Sequence, residues 1–412
     1  MSDFITGSLD DFLSLIESGT RPKGGVNLIG DIPSFGGENV TDQGKIRFYP
    51  VKKISKRFFT GMTRGHLQDL DVIINKDGAN TGKSTIYRNS PYRCATVNEH
   101  LFILRSKSEN LDQVFLHNYF QWSETKREIY KKITGSAQPG LNSTFVDNFP
   151  VSFPPLREQQ KIASILTSVD EVIEKTQSQI NKLEDLKKAT MNDLLTRGIG
   201  HTEFKDSELG RIPKSWGVSQ NVDLCERIMV GVVITPAKFY VSIGVPVLRS
   251  ANVKEGFITA TDLKFFTNES NELMRKSILK VGDVLTVRTG YPGISAVVDK
   301  SFAGGNCVDL LISRPKSMIC PDYLAYWINS DFGRGQVLKK QGGLAQQHFN
   351  VSELQALIVV LPPKEEQLKI VEILNSIDHQ TKNISAKKIN FINLKNSLMQ
   401  DLLTGRVRVT VN

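Results

Sequence analysis

The segment DGANTGKS at 77–84 is the first place in this chain where residue types and spacing suggest chemistry. Gly82-Lys83-Ser84 follows an apolar run, as at the end of a phosphate-cradling loop, but that loop requires glycine at position 77, where this chain has Asp77. It also requires a helix to follow, so that helix-end N–H groups meet phosphate. The residues that follow, TIYRNSPYR, are β-branched and proline-bearing and read as strand and turn. The matching loop of the second half, TGYPGIS at 289–295, has no Gly-Lys pair. Nucleotide hydrolysis is therefore not expected. Two readings stay open for both loops: a turn that brings N–H groups, Thr81 and Lys83, or Arg288, to a DNA phosphate or base edge, or a plain hairpin with solvated charge.

Other chemistries leave no trace. No Asn/Asp-Pro-Pro-Tyr/Phe tetrapeptide of the kind that holds a target base is present, and the two Pro-Pro pairs follow Phe153 and Leu361. The 6 histidines have no evident nucleophile beside them, and the 4 cysteines, Cys94, Cys225, Cys307 and Cys320, form no CxxC pair, so buried or half-buried free thiols are expected. No catalytic residue and no metal ligand is assigned. A binding protein is favoured over an enzyme.

Basic residues recur near aromatics and turns. The net charge is +9, which suits a polyanion without demanding one. The DNA-binding candidates are Lys56, Arg57, Thr81, Lys83 and Arg88 in the first half, and Arg249, Arg288 and Tyr291 in the second. Gln138 and Gln346 occupy matched places and could pair with adenine, or could equally cap a helix. The competing reading is a two-lobed coiled-coil adaptor that binds proteins, its basic charge incidental.

The elements that would position these residues are set by an internal repeat. PPLREQQKIASILTSVDEVIEKTQSQINKLEDLKKATMNDLLT (154–196) returns as PPKEEQLKIVEILNSIDHQTKNISAKKINFINLKNSLMQDLLT (362–404), in a register of 208 residues from Pro154 to Pro362 and from Thr196 to Thr404. Ile162, Leu166, Val169, Ile173, Ile180 and Leu183 recur at steps of three and four, as do Ile370, Leu374, Ile377, Ile384, Phe391 and Leu398. Proline pairs precede each helix, Glu158 and Glu366 put acid in the first turn, and Gly198 and Gly405 supply the stop. Forty-odd residues at about 1.5 Å each make a rod of roughly 60 Å. A rod with so narrow an apolar seam needs a second helix, and its own copy, lying antiparallel, is the evident partner.

Upstream of each rod lies a mixed, strand-rich part. Strands are predicted at 69–76, 83–88, 94–98 and 101–105, then a helix at 114–133; the second half repeats the order at 282–290, 294–299 and 308–314, with a helix at 322–340. The predicted fold is α+β, with two similar lobes joined by two long antiparallel helices in an intramolecular coiled coil of pseudo-two-fold symmetry. Its divisions are 1–153, the helix 154–197, a connector 198–212, 213–361, the helix 362–405 and a tail 406–412. No apolar run approaches a membrane span, and a cytoplasmic protein is expected.

The repeated helix, with PPLREQQKIASILTSVD and LKKATMNDLLTRGI, the connector HTEFKDSELGRIPKSWGV, and PPKEEQLKIVEILNSID with LKNSLMQDLLTGRV, resembles the specificity subunit of type I restriction-modification systems. The resemblance implies two target-recognition domains, each reading one half of a split, asymmetric site in double-stranded DNA, with the coiled coil setting the gap. It implies two adenine methyltransferase subunits docked on this chain, and motor-nuclease subunits joining that core. The chain itself would then catalyse nothing and bind no cofactor; S-adenosylmethionine, ATP and Mg would belong to the partners.

Overall fold

A computed structural model describes residues 4–25, 28–135, 139–233, 236–339 and 348–410. The chain divides into two compact units, Met1–Gln177 with Ala386–Asn412, and Ser178–Ser385. Both cuts fall inside long helices, so each unit consists of a lobe together with one end of each helix.

In the first unit, the apolar runs become an antiparallel sheet of four strands in the order Leu13–Ser18, Leu101–Ser106, Val72–Asn75, Ser84–Ile86. Val72, Ile73 and Ile74 are all buried, which is why this run is continuously apolar and not alternating. A three-stranded sheet sets Ile32–Phe35 between Lys52–Ile54, antiparallel, and Thr96–Val97, parallel. Ile5–Ser8 pairs with Pro150–Phe153 and so ties the start of the lobe to the approach of the first long helix.

The second unit has the same order throughout. Its four-stranded sheet runs Cys225–Val230, Leu310–Pro315, Val284–Val287, Ser295–Val297, and its three-stranded sheet sets Val245–Leu248 between Lys264–Phe266 and Asn306–Cys307. Gly217–Gln220 pairs with Ile358–Leu361 as the closing ribbon. The framework bonds repeat as well. Arg105 forks onto buried Asp71 at 2.8 and 2.7 Å, and Arg314 onto buried Asp283 at 2.8 and 2.8 Å. Asn39 accepts from the Gly36 N–H, and Asn252 from the Arg249 N–H, each at 3.0 Å. The two lobes are one fold built twice.

Each lobe helix predicted in one piece is broken. Gln113–Gln121 and Ser123–Lys131 are separated at Trp122, and Pro321–Asn329 and Asp331–Lys339 at Ser330, both residues being extended. The Ser330 hydroxyl explains its own break: it donates to the Trp327 carbonyl and accepts from the Gly333 N–H, competing with the helical ladder. At Trp122 the break frees the indole to donate to Gln400 at 3.1 Å. The connector also holds an element that its polar composition did not suggest, a hairpin of Phe204–Ser207 with Gly210–Pro213.

The first long helix, Leu156–Arg197, has 42 residues, and the second, Lys364–Leu403, has 40. They stop at Gly198 and Gly405, whose φ of 66° and 71° is left-handed and natural only to glycine. Their ends are lobe core. In the first unit Ile162, Leu166, Met399 and Leu402 pack with Phe115 and Phe153; in the second, Met191, Leu195, Ile370 and Leu374 pack with Trp216 and Tyr323. No helix among the described residues is long and apolar enough to cross a membrane.

Candidate nucleic-acid interface

Lys56 and Arg57 open a short helix, Lys56–Gly61, capped by the Ser55 hydroxyl, which accepts from the Phe58 N–H at 3.2 Å. The Lys56 N–H donates to Asp31, and this fixes the helix against the loop ahead of the three-stranded sheet. Arg57 lines a groove of about 660 Å³ with Arg21, Pro22, Phe58 and Met62. The 77–84 segment is a hydrogen-bonded turn between antiparallel strands, with no helix after it. Lys83 reaches Asn80 at 2.8 Å and Asp42 at 2.5 Å, and this bond holds the Asp42 carboxyl below its usual range. Thr81 is buried, its hydroxyl donating to the Gly78 and Pro139 carbonyls; it shapes the turn. Arg88 is half-buried just beyond the strand Ser84–Ile86.

In the second unit Arg288 follows the strand Val284–Val287 and donates to Asp309 at 3.0 Å; Thr289 donates to the same carboxylate at 2.9 Å and meets His348 Nδ1 at 3.0 Å. Arg288 lines a pocket of about 460 Å³ with Asn350, Ser352 and Glu353. Tyr291, in the same turn, is 79% exposed. Arg249 donates to the Asp262 carbonyl and carboxylate at 2.7 and 2.8 Å, which, with Lys264, pulls the Asp262 carboxyl down. The Nε atoms of Arg249 and Arg288 are buried without an acceptor. Gln138 and Gln346 lie outside the described residues. The fold thus sets Lys56 with Arg57 on a short helix after the strand Lys52–Ile54, and Arg288 with Tyr291 on the loop after Val284–Val287, and turns Thr81 inward.

Residues that the sequence did not single out join them. Arg21 faces the Arg57 groove and pairs with Glu99, and Asp309 and His348 organise the Arg288 loop. Tyr49, 84% exposed, stands between Arg47 and Lys52, and that alternation of base and aromatic was a readable signal. Of the thiols, Cys225, Cys307 and Cys320 are buried but Cys94 is exposed, contrary to the expectation for all four.

The two long helices run antiparallel within each unit, as their pairings require. In the first, Lys395 bonds both Asp170 oxygens at 2.7 Å, and Lys388 bonds Gln177 seven residues further on. In the second, Lys187 bonds Asp378 at 2.7 Å. Adding the 208-residue repeat to Asp170 and Lys187 gives Asp378 and Lys395, so the two ion pairs are each other's image. Among the seam residues Ile162, Leu166, Ile370 and Leu374 are fully enclosed and Ile180 and Ile377 nearly so, whereas Val169, Ile173, Leu183, Ile384, Phe391 and Leu398 are half-buried. The first-turn glutamates do more than face a helix dipole. Glu158 takes both nitrogens of a fork from Arg408, which holds its carboxyl low, and Glu366 accepts from Ile199, His201 and Trp216. Each thereby clasps the segment just after the other helix. Gln159 and Gln367 repeat one pattern too, accepting from the N–H of Asp112 and Cys320 and donating to the Pro154 and Pro362 carbonyls.

Comparison with known proteins places this geometry. A family model described as the type I restriction modification DNA specificity domain matches residues 1–185 and 213–394. The MjaVIII type I restriction enzyme specificity subunit of Methanocaldococcus jannaschii is 27% identical over 348 residues, spanning 82% of this chain and 79% of that one. The EcoBI specificity subunit of Escherichia coli is 21% identical over 359 residues, spanning 82% and 73%. Among solved structures, a chain from work on complex assembly and conformational transition of the type I R-M system superposes with a TM-score of 0.61 at 17% identity, over 98% of both chains. The type I S subunit from M. genitalium gives a TM-score of 0.56 at 11% identity, over 97% and 96%. At those identities the structural likeness is one of fold.

Proposed function

Because this chain belongs to the type I restriction-modification DNA specificity family, we propose that each lobe reads one half of a bipartite, asymmetric site in double-stranded DNA, and that the antiparallel helix pair sets the distance between the halves. The observation that carries this reading is a framework built twice with unlike exposed residues on it. Asp71–Arg105 and Asp283–Arg314 hold the same sheet in place, while the turns above those sheets carry Lys83 in one lobe and Arg288 with Tyr291 in the other. Phosphate contacts from Lys56, Arg57, Lys83, Arg88 and Arg249 would set register, and a few side chains near them would read base edges.

Two adenine methyltransferase subunits dock on this chain in the proposed assembly, and motor-nuclease subunits join through them, in the cytoplasm. The chain supplies no reacting group: methyl transfer to a flipped adenine from S-adenosylmethionine, and ATP- and Mg-dependent cleavage, belong to the partners. Gel shift of the purified chain with random duplex across a salt series tests the binding. A steep fall of affinity with salt is expected from counterion release, and weak binding at every salt concentration would favour a protein adaptor instead. Incubated with DNA and a divalent metal, the chain alone leaves the duplex intact; cutting would overturn the assignment. Mapping methylated adenines in a host genome would then give the two half-sites.

A further inference from the structure

Gln121 ends the helix Gln113–Gln121 by donating to the Ser84 carbonyl and hydroxyl, each at 3.0 Å, and so ties this helix to the strand Ser84–Ile86. Ser84 and Ile86 pair with Ile74 and Val72, which share a core with Phe115 of that helix, whereas Tyr87 belongs to the core on the opposite face. By strand alternation Arg88 returns to the helix side. His117 sits one turn before Gln121, and its Nδ1 is enclosed without a partner. Lys126 stands one turn beyond Trp122, which is bonded to Gln400 of the second long helix, and Lys395 belongs to that same helix. The charges of Lys395, Arg88 and Lys126 all bear on His117.

These cations are short of acceptors. Arg88 and Lys126 are half-buried, and their side chains meet none among the described residues. Nearby acids are engaged elsewhere: Asp42 with Lys83 at 2.5 Å, and Asp170 with Lys395 at 2.7 Å. Burial, and then the charge of Lys395, pull the Lys126 ammonium below its usual range. The second lobe shows the same place neutralised from within. Asn329 bonds Ser295 as Gln121 bonds Ser84, and Ser295 faces Thr286 in the ladder as Ser84 faces Ile74. Equal offsets along the chain then match Arg88 with Asp299, His117 with Ala325 and Lys126 with Arg334. Arg334 is closed on Glu255 at 2.5 Å, and an acid and an alanine take the other two places.

Half-dehydrated cations that repel one another are disfavoured unless an anion joins them. Here they come from a strand end, a lobe helix and a long helix, so the anion must offer acceptors in several directions. A carboxylate, with two oxygens in one plane, suits a single fork, whereas a phosphate group suits this set. We infer that Arg88 and Lys126, with Lys395 and the His117 ring beside them, form a phosphate-binding site that the first lobe has and the second lacks. The phosphate is that of a DNA backbone, in which case the site rests on the DNA reading above and makes the two lobes unequal in their hold on the duplex, or it is a free phosphate.

The test titrates the full chain with inorganic phosphate at fixed ionic strength, by calorimetry, with Arg88→Gln, Lys126→Gln, Lys126→Arg and Arg334→Gln alongside. One saturable equivalent is expected, weakened about ten-fold in each of the first two variants and retained in the last two. Melting without phosphate checks folding: Lys126→Gln removes an unpaired cation and should not melt lower than the wild type. Random duplex then distinguishes the sources. A backbone phosphate predicts that duplex and phosphate compete, and that Arg88→Gln and Lys126→Gln each reduce the salt slope by about one while Arg334→Gln does not. A free phosphate predicts uptake with no competition and an unchanged slope. Absence of saturable uptake together with an unchanged slope would overturn the site, and so would equal uptake by the wild type and both glutamine variants. Loss of methyltransferase co-purification in those variants without any phosphate uptake by the wild type would assign the cations to a partner's carboxylate and overturn it too. A wild-type chain that takes up phosphate but binds duplex at no salt concentration sinks the DNA reading and leaves the site standing.

Discussion

Lys395 and Asp170 occupy a helix seam where an apolar pair would pack without desolvating charge, so their presence calls for a physical reason. Their side chains are 18% and 28% exposed, partly shielded from water, and removing one partner strands the other. Lys395→Met should therefore destabilise more than the double variant with Asp170→Asn. A double-mutant cycle by urea unfolding is expected to show a coupling of about 1–2 kcal/mol, between the values for exposed and buried pairs. His117 offers a second residue-scale prediction. Burial pushes its imidazole down to about 3, with Lys395, Arg88 and Lys126 adding repulsion, and its Nδ1 is enclosed without a partner. The folded chain then binds fewer protons than the unfolded chain below about pH 6.5, so stability falls as pH drops from there toward the depressed value. Melting curves from pH 7 to pH 4.5 should show this loss, and His117→Leu should flatten it.

At the scale of elements, the long helices end where they must. A Cβ at Gly198 would lie 2.5 Å from both Glu366 Oε1 and the Trp216 ring, in addition to the strain of a left-handed φ. Gly198→Ala is expected to cost at least about 1 kcal/mol and to lower the melting temperature by several degrees. Gly405→Ala should do the same in the first unit, where Phe4 fills the space. An outcome within a degree of wild type at both positions would mean that the clasps at Glu366 and Glu158 adjust freely. The strands Val72–Asn75, Ser84–Ile86, Leu101–Ser106 and their repeats were legible because β-branched runs end at Gly, Asn and Pro. The breaks at Trp122 and Ser330 were not, because the apolar pattern continues through both and only a tertiary partner or a hydroxyl decides the backbone there.

For the whole molecule, the reciprocal pairs Lys187–Asp378 and Lys395–Asp170 favour one antiparallel alignment of the two helices, because a slip by one heptad in either direction parts both at once. If the helix pair sets the half-site gap, inserting one helical turn in both helices should change the tolerated gap while both half-site sequences stay the same. Exchanging one lobe for that of a relative should change one half-site only. Methylated-adenine maps from hosts carrying each variant read both outcomes, and altered sequences in both halves would contradict independent lobes.

The sequence alone determined the repeat, the two rods, their glycine stops and the likeness of the lobes, because hydrophobic period and a constant 208-residue register are properties of order along the chain. It did not determine which polar seam residues pair, since Lys187 and Asp378 are brought together by folding across almost half the chain. Nor did it show that Thr81 turns inward, or that Glu158 and Glu366 clasp the segments following the opposite helices. Those follow from where strands end and how tightly glycine lets backbones approach, and only three-dimensional packing fixes that.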